Sequence, residues 1–151
     1  FPFHNPQNVA GWSPEALDVK DGNIVFTELN HAFIGPEGQK PAYRDRIQKA
    51  FSDLALWNDQ QKSARGYNTP QMSFDEYMNW ALVSLRYVDY APRAEQPKLI
   101  AQIEDTMLNY RGFRRFPEFN QFLVKTYKNR RKGLTVADLY PVIIGWFEEN
   151  K

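Results

Sequence analysis

"SFDEYMNWALVSLRYVDY", residues 73 to 90, is the stretch on which the fold turns. Phe74, Met78, Ala81, Leu85 and Val88 recur at helical spacing and make one stripe. Tyr77, Trp80, Val83 and Tyr87 make another. A helix apolar on nearly every side has to be covered on nearly every side, so this one should be central to the molecule.

Helical patterns continue in both directions. Downstream, Pro97 opens a helix carrying Leu99, Ile100, Ile103, Met107 and Leu108, stopped by Gly112. Pro117 opens the next, with Phe119, Phe122, Leu123 and Tyr127, ended by Gly133. Thr135 and Asp138 read as a capping box for the last helix, which Pro141 should kink or split before "VIIGWFEEN". Upstream, "NDQQKSARGYNTP" is a polar loop. A helix from Pro41 to Trp57 precedes it, with Tyr43, Ile47, Ala50, Phe51 and Leu54 in phase.

Before that comes "NIVFTELNHAFIGPEG", residues 23 to 38, capped by Asp21-Gly22-Asn23 and stopped by Gly35-Pro36. Here Val25, Phe26, Leu29, Ala32 and Phe33 share an apolar arc about 120° wide, and Thr27, Glu28, Asn30 and His31 share the opposite one. Residues 1 to 22 carry Pro2, Pro6 and Pro14 without a period and read as an irregular arm. No segment alternates as a strand would. The expectation is an all-α fold of about six helices over residues 23–151, preceded by an irregular N-terminal arm, residues 1–22.

A chain of 151 residues can bury one real core, and 15% aromatic content says that Phe, Tyr and Trp build much of it. A net charge of +1 supplies no field for nucleic acid. No apolar run reaches the length of a membrane span. Without cysteine there are no disulfides and no thiolate metal sites. There is no signal-peptide pattern, and the first residue is Phe, which points to a processed or trimmed start.

Three polar groups could carry chemistry. Glu28 and His31 sit three apart on one helix, where H-E-x-x-H helices hold zinc with two histidines and keep the glutamate as base. Thr27 occupies the place of the first histidine, and its hydroxyl is a poor zinc ligand. The only other histidine is His4 in the arm. The plain alternative is that Glu28 and His31 line a polar groove or pair with neighbouring arginines. Glu76 lies on the second stripe of the central helix, and a carboxylate there needs a cation, hydrogen-bond donors or a metal. It could be a zinc ligand, or it could close a capping box with Ser73. Finally, Arg111, Arg114 and Arg115 precede a second basic group, Lys125, Lys128, Arg130, Arg131 and Lys132, whose cations suit the negative end of a helix.

In register, "TELNHAFIGP" (27–36) resembles the active-site segment H-E-F-N-H-S-F-x-N-P of a bacterial family of uncharacterised, often exported domains regarded as gluzincin-type zinc metallopeptidases. "SFDEYMNWALVSLRY" is similar to that family's downstream glutamate helix. The end of the chain, from "FPEFNQFLVKTYKNRRKGLTVADLY" onward, is similar to its closing helix pair. The resemblance covers roughly residues 23 to 149. It implies Glu28 as general base, His31 as a zinc ligand and Glu76 as the third ligand, with Asp75 an alternative for that role. Thr27 stands where the family has its first histidine, so the resemblance implies zinc held weakly or not at all. It also implies a secreted or periplasmic setting.

Three functions are consistent with these residues. The first is a degenerate zincin-like domain with an altered metal site and weak or no hydrolase activity, persisting as a binding or structural module. The second is an active zinc hydrolase using His31, Glu76 and a non-standard ligand such as Glu28 or His4 on a peptide or protein. The third is a helical protein-interaction domain without metal, with Trp12, Trp57 and Tyr90 as candidate contacts.

Overall fold

A computed structural model describes residues 11–151. Their fold is all-α: eight α-helices and no strand, with one isolated bridge between Asn58 and Phe113. No helix among the described residues is long and apolar enough to cross a membrane.

The helices are α1 (Pro14–Asp21), α2 (Asn23–Gly38), α3 (Pro41–Ala50), α4 (Leu54–Trp57), α5 (Pro70–Tyr90), α6 (Gln96–Asp105), α7 (Phe116–Lys128) and α8 (Val136–Glu149). A 3-10 turn, Ser63–Gly66, lies before α5. A π-helical turn, Thr106–Arg111, prolongs α6 and ends at Gly112, whose φ of +90° only glycine adopts without strain. As residues 73–90 require, α5 is central: α2, α3, α6 and α7 all pack on it, and α8 packs on α3.

The core is an aromatic cluster. Phe51, Trp57, Phe74, Tyr77, Phe113, Phe119 and Phe147 are wholly buried. Their rings meet edge-on or tilted, the arrangement that aligns ring edges with ring faces. The Tyr77 hydroxyl donates to the Trp57 carbonyl at 2.8 Å and accepts from the Arg115 N–H at 3.2 Å, so this buried phenol costs nothing in lost hydrogen bonds.

Several boundaries differ from the sequence reading. The arm contains a helix, α1, because Ser13 caps the Ala16 N–H and Pro14 supplies the first helical φ. The helix α2 runs through Gly35-Pro36 to Gly38; proline near a helix end removes one bond without stopping the chain. The stretch 41–57 is two helices, since the Asp53 carboxylate caps Ala55 and starts α4 afresh. Pro141 lies inside α8 without splitting it, at an exposed position near the start.

The largest departure concerns the faces of α2. Most of its apolar arc points outward: Val25 is 63%, Leu29 60% and Phe33 74% exposed. Ile24, outside the arc, is also 75% exposed, while Phe26 is partly buried against the core. Its inner face consists of Thr27, Asn30, Ile34 and Gly38. An amphipathic helix ordinarily does the reverse.

Candidate functional site

What holds α2 inside-out is a polar seam with α5. The two helices run antiparallel, and their contacts keep a constant register. Asn23 donates to the Tyr87 hydroxyl and accepts from Arg86. Asn30 Nδ2 donates to Asn79 Oδ1 at 3.2 Å, and Asn79 Nδ2 lies 3.1 Å from His31 Nε2. Asp75 Oδ2 faces Gly35, and Gln71 Nε2 packs where a Cβ on Gly38 would be only 2.6 Å away. The Thr27 hydroxyl donates to the Ile24 carbonyl at 2.9 Å, so it enters the seam already satisfied. Polar residues can be buried here because most of their polar atoms find partners, the buried Gln71 Oε1 being the exception.

His31 Nε2 lies within hydrogen-bond distance of Asn79 Nδ2, which fixes the ring beside the seam while leaving it exposed. Asp75 accepts from Gln71 at 2.8 Å. Burial raises its pKa above the ordinary aspartate value, opposed by the Gln71 hydrogen bond and by His31, and reinforced by Glu76. Asp75 and His31 thus share the seam.

Glu76 is one residue further round α5 and looks another way. Its Oε1 accepts from Arg111 Nη1 at 2.6 Å, from Tyr67 Oη at 2.9 Å and from Trp80 Nε1 at 2.9 Å. Arg111 Nη2 also donates to the Tyr67 hydroxyl at 2.7 Å, closing the ring of bonds. The guanidinium lies over the rings of Tyr67, Trp80 and Phe113 at 5.2–5.4 Å. Burial, with Glu76 adding to it, raises the Tyr67 pKa, keeping that phenol a donor. The capping box with Ser73 is not formed. Thr69 is the N-cap of α5, the Ser73 N–H bonds the Thr69 carbonyl, and the Ser73 hydroxyl donates to Asn58.

The residues singled out in the sequence are therefore dispersed. Thr27 is in the seam, Glu28 is exposed without a hydrogen-bond partner among the described residues, and His31 is bound to Asn79. Glu76 is closed in with Arg111, and His4 lies outside the described residues. Among the described residues no three His, Asp or Glu side chains group closely enough to hold a metal ion. The donors there do not fit a tetrahedral zinc centre, which needs three protein ligands converging on one point. Of the aromatic contact candidates, Trp57 is wholly core, Trp12 is half-buried between the ammonium groups of Lys20 and Lys98, and Tyr90 is 72% exposed.

A feature that the one-dimensional pattern did not reveal is a groove beside the seam. Two adjoining open cavities, of about 520 and 220 Å³, share Leu82 and Val136. Their floor is α5, from Met78 through Leu82 and Leu85 to Asp89. One wall is α2, with Phe26, Phe33 and Ile34; the other is the end of α7 and the start of α8, with Tyr127, Val136 and Tyr140. The outward face of α2 continues this apolar surface over its lip. The sequence signal was present in the apolar all-round character of α5, because α2 and α8 together leave part of that surface uncovered.

No family model, curated protein or solved structure matches the chain.

Proposed function

We propose that this chain is a helical protein-binding module that does not hydrolyse peptides, with the zincin-like segment 27–36 serving as scaffold. The observation carrying the reading is the inverted α2. Val25, Leu29 and Phe33, on one side of α2, face solvent beside an open apolar groove that Phe33 itself lines, and exposed apolar surface of this kind marks contact sites. The residues that a zinc peptidase would need support the same reading by their engagements. Glu76 is neutralised by Arg111, and Thr27 faces α5 rather than a cleft.

Equilibrium dialysis against zinc with elemental analysis, on the chain and on Thr27→His, tests the non-hydrolytic half of the proposal. The expected result is no stoichiometric zinc in either protein. Chelator-sensitive cleavage of any member of a broad peptide panel should also be absent. One tightly held zinc per chain, or chelator-sensitive hydrolysis, overturns it.

A further inference from the structure

Building on the binding-module reading, we infer that the groove between α2 and α8 takes an amphipathic α-helix of a partner protein whose polar flank is acidic. Three features select this occupant.

The first is backbone chemistry. Every wall of the groove is helical, and no sheet edge exists among the described residues. An extended peptide laid there would find no row of N–H and C=O groups to pair with. A helix brings its backbone bonds with it and needs only side-chain contacts.

The second is dimension. The floor from Met78 to Asp89 is three turns of α5, about 16 Å at 1.5 Å per residue. The two cavities lie in line along it and meet at Leu82 and Val136. Apolar side chains one or two turns apart on a partner helix would enter one cavity each.

The third is charge. Tyr127 and Val136 both line the larger cavity, so the connection between them begins and ends at the rim of that cavity. It contains Lys128, Arg131 and Lys132, all exposed and none in an ion pair among the described residues. Arg130 anchors this segment by donating to the Tyr127 and Leu134 carbonyls and stacking on the Tyr127 ring. Arg86, on the floor and over the Phe26 ring, adds a further cation, its guanidinium also donating to the Val19 carbonyl and to Asn23. The carboxylates that line the two cavities are already occupied: Asp89 accepts from Tyr127 at 2.6 Å, and Glu37 pairs with Lys40 at 2.7 Å. Arg131 and Lys132 lie beyond the last residue of α7, so complementing that helix end does not account for them. A partner with glutamates or aspartates beside its apolar stripe would satisfy them.

The test is selection from a displayed library of 16-residue peptides on the intact chain. Apolar residues are fixed along one helical face, and every other position is drawn from Glu, Lys, Gln and Ala. Selected peptides are then titrated against the chain, Leu82→Asp, Val136→Glu and the triple variant K128E/R131E/K132E, each checked for helical content. The expected outcome is enrichment of Glu over Lys. Either groove variant should abolish binding, and the triple variant should weaken it by about tenfold or more at low salt, with a shallower salt dependence. Enrichment that depends on Leu82 but favours Lys, or favours neither charge, overturns the acidic partner and leaves the binding module standing. No peptide whose binding depends on Leu82 or Val136 overturns both. Sedimentation of the chain alone completes the test: a dimer dissociated by the groove variants would make a second copy the occupant and overturn the inference.

Discussion

Arg111 Nη1 sits 2.6 Å from Glu76 Oε1, and the two side chains are 16% and 5% exposed. They lie 35 residues apart in the chain and are brought together by the π-helical turn that ends at Gly112. Removing the cation leaves a buried carboxylate facing two neutral donors, so Arg111→Met should destabilise the chain by about 3–5 kcal/mol. Glu76→Gln keeps an oxygen for Tyr67 and Trp80 and should cost less, about 1.5–3 kcal/mol. Urea midpoints of the two single variants and the double variant measure the coupling. Equal, additive and small losses would show that the pair is not coupled.

Gly112 controls that arrangement. Its φ is +90°, and a Cβ there would lie 2.7 Å from the Lys62 Cβ and 2.9 Å from the Asp59 Cβ. Neither neighbour is the loose end of a side chain. The Gly112 carbonyl also accepts from the Asp59 N–H at 2.8 Å, tying the turn to the loop before α5. Gly112→Ala should therefore cost more than about 2 kcal/mol, from left-handed strain and steric overlap together. Thermal unfolding followed by circular dichroism reads this directly.

The all-α class, the central place of α5 and the capping role of Asp138 were legible because each rests on local spacing. Glu76 was legible as a carboxylate in need of a partner. Which partner depended on a contact across 35 residues that no local pattern contains. The direction in which α2 faces was illegible for a related reason. Asn30 and Thr27 look like a solvent face until Asn79 and the antiparallel register of α5 are known. Helical periodicity identifies two faces and does not say which is inside when the inner one can be fully hydrogen-bonded.

That inversion can be measured. Leu29→Ser and Phe33→Ser alter exposed positions and should change stability by no more than about 0.5 kcal/mol. Asn79→Ala removes the acceptor of Asn30 and the donor to His31, and should cost about 1–3 kcal/mol. In an ordinary amphipathic α2 the order would be the opposite. If the serine variants prove the more damaging by chemical denaturation, the apolar face is covered in the folded chain.

Asp75 gives the seam a pH dependence. Its folded-state pKa is raised, chiefly by burial, so the folded chain holds the proton to higher pH than the unfolded chain does. Stability then falls as pH rises from the ordinary aspartate range through the raised value, and levels off above it. Below the ordinary range the neutral carboxyl fits the seam without penalty. Asp75→Asn removes the ionisation and can keep an oxygen toward Gln71, which now donates at 2.8 Å. The variant should match the wild type in acid and exceed it at neutral pH, the difference opening across that window. Paired urea titrations from pH 3 to pH 8 would show the two curves diverging upward. Curves that diverge only in acid, with the wild type losing stability as pH drops, would mean that Asp75 is stabilised as the anion and that His31, rather than burial, governs it.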